Sequence, residues 1–359
     1  MLDTQKKPPL QQLPPVQVCQ GAWYGDSLKA DPEQWVMQLS SAEVTQLAGA
    51  ADRCLEESQD ISAINKGNFK LTSLLAKIEF LGTQLTSGLG FMLIKGIERD
   101  QFSTAQLAAM FYGFGAHLGN ARMQNGKGHV LGHVRDLNKR SDDPSVRIYQ
   151  TNERQSFHTD SADIVALLCL NKAKSGGESL LVSALTVFNE MRENHSELLA
   201  CLLDPIATDR RGEIPQGMDP YFSIPVFNWY QDKLSTIYQR QYIDSAQRFD
   251  DAFKLSEQHI AALDKFDQLC NDPQLHLRMQ LEPGDMQFVY NHNLLHDRTA
   301  FVDYAQPEKR RHLLRLWISA AQDRELPPVF KQRYGSIEVG ARGGMQIRGV
   351  QPCAPLEPV

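Results

Sequence analysis

The feature that most restricts this 359-residue chain is a change of hydrophobic periodicity near residue 145. Before it, apolar residues recur three and four apart. "VTQLAGAADRCLEES" follows Ser40-Ser41-Ala42-Glu43, which has the form of a helix capping box, and "LTSLLAKIEFLGTQL" and "TAQLAAMFYGFGAHLG" keep the same spacing. One short apolar run bounded by glycines, "GLGFMLIKGI" (88–97), reads as a strand among them. After 145 come "VRIYQT", "DIVALLCL", "ESLLVS", "DMQFVY" and "RHLLRLWIS", with helical stretches around 184–203 and 256–270. Strands joined by turns and wrapped by helices predict an α+β fold built on a sandwich or barrel. The expected organisation is an extended arm rich in Pro, Gln and Lys (1–30), a single domain (31–330) that is helical to about 120, and a C-terminal tail (331–359).

Composition removes several classes. A net charge of −6 offers no broad basic footprint for nucleic acid, and Lys309-Arg310-Arg311 is too short to make one. No apolar stretch approaches the ~18 residues of a membrane span. "MLDTQKKPPLQQLPPVQVCQ" lacks the apolar centre of a secretory signal. The six cysteines (19, 54, 169, 201, 270 and 353) form no CxxC pair, which argues against a disulfide scaffold or zinc knuckle and for a reducing, cytoplasmic setting. The expected partner is a small molecule, with neither nucleic acid nor membrane; a homo-oligomer is left open.

"SFHTDSADIVALLCL" (156–170) places His158 and Asp160 two apart at the mouth of an apolar run. Ten histidines and 43 acidic residues predict about one H-x-(D/E) by chance, and the other instance is His195-Ser-Glu197. The text around His195 is helical, where residues two apart point ~200° away from each other. On a strand, i and i+2 share a face, so His158 and Asp160 can converge on one ion. His296 of "VYNHNLLHDRTAF" stands out as a candidate third ligand because it follows the turn and strand "LEPGDMQFVY"; the alternative is a structural His–Asp hydrogen bond with His296 on the surface. Two histidines and one carboxylate with open positions suit non-haem Fe(II), although zinc accepts the same ligands. "SGGESLLVS" (175–183) sets a Gly-Gly turn before Ser179, and "RRHLLRLWIS" sets Arg311 and Arg315 four apart on one face with Leu313 and Trp317. An arginine on an apolar face calls for an anion, either a protein carboxylate or a ligand's. A zinc hydrolase and a non-catalytic ligand-binding jelly-roll therefore stand beside the iron enzyme as alternatives.

"FHTDSADIVALLCL", "SGGESLLVS", "HDRTAF" and "RRHLLRLW", in that order, resemble the taurine dioxygenase (TauD/TfdA) family of Fe(II)/2-oxoglutarate oxygenases over roughly 145–320, and more loosely before it. The resemblance implies a double-stranded β-helix, or jelly-roll, from about 120 to 320 with helices outside. It implies His158, Asp160 and His296 as iron ligands, and Arg311 with Ser179 as the holders of the distal carboxylate of 2-oxoglutarate. Arg315 matches a position that serves substrate or co-substrate. The implied reaction couples O₂ and decarboxylation of 2-oxoglutarate, releasing succinate and CO₂, to oxidation of an unactivated C–H by hydroxylation, desaturation or ring formation. Retention of Asp160 disfavours halogenation, which needs a small residue there. The substrate is expected to be small and anionic or zwitterionic. Candidate contacts are Arg154, Gln124, Asn125 and Arg342, the last in a glycine-rich stretch (335–348) expected to close as a mobile lid. Fe(II) affinity is expected to fall as pH drops through the ordinary histidine range, about 6.5.

Overall fold

The computed structural model describes residues 13–139, 147–214, 217–345 and 349–357. Residues 1–12 of the N-terminal arm and 346–348 of the expected lid lie outside them.

Two sheets face each other. The larger runs in the order Val36–Gln38, Phe91–Lys95, Met286–Tyr290, Ile164–Asn171, His312–Ala320 and Gly119–Ala121, with Leu131–Val134 also paired to the His312–Ala320 strand. The smaller is ordered His276–Met279, Ser179–Ser183, Leu294–Arg298 and Gln155–His158. Their pairings are antiparallel except for Val36–Gln38 with Phe91–Lys95. This is the jelly-roll that the resemblance implied.

The strands read as unbroken apolar runs because both of their faces are buried. In His312–Ala320, Leu314, Leu316 and Ile318 pack outward with Phe111 and Phe114 of the helix Thr104–Ala116 and Leu47 of the helix Ser41–Glu57. Leu313 and Trp317 point inward to Leu181, Leu277 and Leu294 of the smaller sheet. The smaller sheet's outer face, with Leu180, Val182 and Leu295, is covered by Phe188 and Met191 of Ala184–Asn194 and Phe266 of Glu257–Cys270. Each sheet thus has a helical layer outside and shares one interior.

The capping box forms as expected: Glu43 N–H donates to Ser40 Oγ at 3.3 Å, and Ser40 N–H donates to Glu43 Oε2 at 2.7 Å. The run "GLGFMLIKGI" contains the strand Phe91–Lys95, which is inserted in the larger sheet beside Met286–Tyr290. Two sequence expectations change. The described residues of "VRIYQT" form not a strand but a single 3₁₀ turn, Ile148–Gln150. His195 is not inside a helix; it sits at the junction where Ala184–Asn194 ends and Ser196–Cys201 begins. From Leu13 onward the arm is docked, with Arg192 Nε–H donating to Pro14 O at 2.7 Å and Gln17 N–H to Asn189 Oδ1 at 2.8 Å.

Candidate active site

Strand register creates the site. His158 is the last residue of Gln155–His158, and His296 stands directly opposite it in Leu294–Arg298. Opposed residues project from one face, and the two imidazole centroids are 4.2 Å apart. Asp160 follows two residues past the strand end, its N–H donated to Asn291 Oδ1 at 3.1 Å. One ligand atom from each of the three lies within 4.8 Å of the others. Asp160 Oδ1 is 3.9 Å from His158 Nε2, and Oδ2 is 3.8 Å from His296 Nε2. Those separations are too long for hydrogen bonds, yet within the ~4.2 Å that two ligands spanning one ion at bonds of ~2.1 Å can reach.

The protonation states fit a metal. Burial lowers the His158 pKa, and burial together with His158 pushes His296 down to about 3. Both rings are therefore neutral at pH 7 and able to ligate. His158 Nδ1–H donates to Ser156 O at 2.9 Å, which leaves the Nε2 lone pair facing Asp160; Gln155 Nε2 donates to it at 2.8 Å. Burial alone would raise the Asp160 pKa, but Arg315, His296, His158 and the Trp317 indole N–H together hold it below the usual carboxylate range. The indole N–H is 2.7 Å from Asp160 Oδ2. Because the folded protein already keeps these histidines neutral, the expected loss of metal affinity moves below pH 6.5.

Two cavities meet at this triad. The larger, about 890 Å³ and open to solvent, is bounded by His158 and Asp160; the smaller, about 500 Å³, by His158 and His296. Tyr149, Gln155, His158 and Arg315 belong to both walls. The smaller is lined by Ser179 and Arg311. Arg311 is buried, Nη1 has no hydrogen-bond partner, and burial lowers its pKa to about 10. Gly177 makes room for it: φ is +73°, and a Cβ there would stand 2.9 Å from Arg311 Nε. Ser179 Oγ–H donates to Gln287 Oε1 at 3.1 Å. Sequence reasoning passed over Arg298, two residues beyond His296 and on the same strand face. It lines this cavity with Nε and Nη1 unpartnered, and burial and Arg311 lower it to about 9.

Arg315 reaches Asp160 Oδ2 at 3.3 Å between the rings of Tyr149 and Trp317, 4.7 and 5.0 Å from their centroids. Gln124 lines the larger cavity but is occupied in gripping Arg315, accepting from Nε at 2.8 Å and donating to Arg315 O at 2.8 Å.

The other three substrate candidates are corrected. Asn125 shapes a turn: its Oδ1 accepts from Lys127 N–H at 3.0 Å, and its amide meets His129 Nδ1 at 3.1 Å. Arg154 lines neither cavity; its Nη2 is 2.6 Å from Asp297 Oδ2 on the side of the molecule where its side chain is 45% exposed. Arg342 is wholly buried, with Nε 2.7 Å from Asp163 Oδ1 and Nη2 2.7 Å from Asp323 Oδ2. The described residues next to it are packed against the domain. Gly344 N–H donates to Ser161 O at 2.6 Å, and a Cβ on Gly343 would meet Ser161 O at 2.8 Å. The glycines serve close approach, which a sequence cannot distinguish from mobility.

A jelly-roll whose interior presents two histidines and a carboxylate between two cavities is the framework of a non-haem iron oxygenase. The family model "Taurine catabolism dioxygenase TauD, TfdA family" matches residues 55–317. The chain is 33% identical over 316 residues to FR-33289 synthase of Streptomyces rubellomurinus, covering 87% of this chain and 93% of that protein. It is 30% identical over 174 residues to uridine-5'-phosphate dioxygenase of an Amycolatopsis species, covering 46% and 62%. Among solved structures, asparagine oxygenase with Fe(II), 3-hydroxyasparagine and succinate superposes with a TM-score of 0.63 at 14% identity, covering 79% of this chain and 93% of that one. The oxygenase OrfP with Fe and α-ketoglutaric acid gives 0.58 at 14%, with the same coverage. The chain belongs to the TauD/TfdA family and is an iron- and 2-oxoglutarate-dependent dioxygenase. Among the described residues no helix is long and apolar enough to cross a membrane.

Proposed function

We propose that His158, Asp160 and His296 hold one Fe(II), that the smaller cavity takes 2-oxoglutarate, and that the larger takes a small anionic or amino-acid-like molecule whose unactivated C–H is oxidised. The observation that carries this is the position of the triad at the meeting of two cavities, one holding a buried arginine with a partnerless N–H. When bound, the iron supplies O₂ activation, coupled to conversion of 2-oxoglutarate to succinate and CO₂.

The protein's own groups do the rest. Arg311 offers the distal carboxylate a charge-assisted pair in a setting where either partner alone is costly. Ser179 adds a hydroxyl, and Arg298 supplies further positive potential. Arg315 and the Trp317 N–H keep Asp160 ionised and fixed in direction. The apolar interior around Leu313, Val165 and Leu181 keeps water from the reacting end. Asparagine and arginine derivatives bound to the structural relatives favour an amino-acid-like substrate, and the uridine-5'-phosphate relative favours an anionic one. Hydroxylation, desaturation or ring formation follows from which substrate hydrogen lies nearest the metal.

The test is succinate release from 2-oxoglutarate by iron-loaded protein under O₂, screened against small anionic compounds for acceleration. Dependence on iron, and its loss in Asp160→Ala, is the expected result. Succinate formation unaltered by Asp160→Ala would refute the assignment.

A further inference from the structure

The larger cavity carries more positive charge than the triad requires. Its acids are each neutralised locally. Glu213 pairs with Arg147 at 2.8 Å, Asp160 with Arg315 at 3.3 Å, and Asp209 with Arg248, which lies outside the cavity. Two arginines in the wall are left over. Arg210 is buried and donates only to main-chain carbonyls, Nε to Asp219 O at 3.0 Å and Nη2 to Gln332 O. Arg333 makes no hydrogen bond or ion pair among the described residues. Both guanidinium groups approach the same ring, with their carbons 5.4 and 5.9 Å from the Phe222 centroid. They are near enough to repel: burial and Arg333 push the Arg210 pKa down to about 10.

We propose that Arg210 and Arg333 form a subsite for a doubly charged oxyanion, a phosphate monoester or phosphonate, which fixes the substrate with its reacting carbon at the triad end of the cavity. The proposal rests on the reading of this cavity as the substrate site. Two adjacent cations that share no ion pair in a partly enclosed space are mutually destabilising; Glu213 acts on Arg333, and Asp219 on Arg210, only from a distance, and one carboxylate bound between them neutralises only one. A phosphate group carries roughly −1.5 to −2 at pH 7 and three acceptor oxygens, enough for both forks.

The pair is also held in place, which lowers the ordering cost of binding. Arg333 sits on the short helix Lys331–Tyr334, and Tyr334 stacks on Phe330 at 5.5 Å with 12° between the planes. Gln332 links that helix to Arg210 through its carbonyl and to Ser223 N–H through Oε1 at 2.9 Å.

The test is calorimetric titration of full-length protein, free of iron and in phosphate-free buffer, with inorganic phosphate, methylphosphonate and acetate. Wild type is expected to bind one phosphate per chain, with acetate at least tenfold weaker. Arg333→Ala is expected to weaken phosphate at least tenfold, Arg333→Lys less, and Arg311→Ala not at all. Thermal unfolding of Arg333→Ala and Arg333→Lys checks that both variants keep the fold. Phosphate binding equal in wild type and Arg333→Ala overturns the proposal. So does absence of binding to wild type, or acetate binding as tightly as phosphate. Methylphosphonate tighter than phosphate supports a P–C substrate, and the reverse order a P–O ester. Substrate-free succinate formation by wild type separates the two readings: it depends on Arg311 and needs no phosphate, so its failure counts against the oxygenase assignment alone.

Discussion

Asp160 and Asp163 are three residues apart, and each is the centre of a buried group of histidine, acid and arginine. Around Asp160 are His158, His296 and Arg315; around Asp163 are His292, Asp323 and Arg342. In both, the potential ligand atoms lie within 4.8 Å. The difference is where the arginine stands. Arg342 takes the middle, 2.7 Å from each carboxylate, while His292 Nε2 is 2.8 Å from Asp163 and Ala320 N–H donates to it at 3.0 Å. Arg315 stands to one side, held by Gln124 and flanked by rings, and the histidine–carboxylate separations remain 3.8 and 3.9 Å. Similar side chains thus give a closed structural knot in one place and an open ligand set in the other. The inventory of residues does not decide a metal site; the position of the competing cation does.

The largest expected effect separates the two clusters directly. His296→Ala should weaken Fe(II) binding by more than about a hundredfold, since even residues that only orient metal ligands cost ~10–100-fold. His292→Ala should still bind one metal per chain. Metal content of anaerobically prepared protein checks both, and unaltered binding by His296→Ala would remove it from the ligand set.

Opening the closed knot is the next test. Arg342→Ala strands two buried carboxylates and should cost roughly 3–5 kcal/mol of stability, read from denaturant midpoints. If the cation alone had closed that cluster, zinc titration of the folded Arg342→Ala fraction should show a second site.

The third test concerns the cation that faces a cavity instead of an acid. Arg311→Ala should weaken 2-oxoglutarate by at least tenfold, from a cost of roughly 2–5 kcal/mol, with Arg311→Lys between. Gly177→Ala should cause a smaller loss, because its Cβ would press on Arg311 Nε from a backbone at φ +73°. Calorimetry with the Mn(II)-loaded protein reads all three variants.

The smallest effect is in acid. His312 is held down to about 3 by burial and by neighbouring His133, while an unfolded histidine titrates near 6.5. Between those values the unfolded chain binds the extra proton, so stability should fall as pH is lowered from about 6.5, at roughly 1 kcal/mol per pH unit for such a group. Denaturant midpoints from pH 7 to 5 measure the slope, to which His158 and His296 also contribute, and His312→Gln should reduce it by this one group's share.

The strands with both faces buried were readable because length and apolar continuity mark them locally, as in "DIVALLCL" and "DMQFVY". "VRIYQT" misled because Ile148 and Tyr149 line a cavity wall; Tyr149 packs beside Arg315 instead of entering a ladder. The His158–His296 pairing is non-local, since register across 137 intervening positions is set by the whole sheet; the sequence could single out His296 by its context, and the resemblance by its motif, but neither shows the register. Arg298 was within reach of the period-two argument that had joined His158 to Asp160. Arg333 was not, for nothing in "FKQRYGS" distinguishes a guanidinium facing a cavity from one in solvent. Arg342 shows the converse, a glycine-flanked arginine that is among the most buried side chains in the protein.

The knot at Arg342 also bears on the order in which the chain is made. His158, Asp160 and His296 leave the ribosome well before residue 342, yet the segment between Asp160 and Asp163 is secured by Arg342 and by the Gly344 bond to Ser161. A nascent chain halted near residue 330 would hold every proposed iron ligand while leaving Asp163 buried without its cation, so that segment would loosen. Emergence of residues 342–344, not the appearance of the ligands, would then set when the metal can be held in a reactive arrangement.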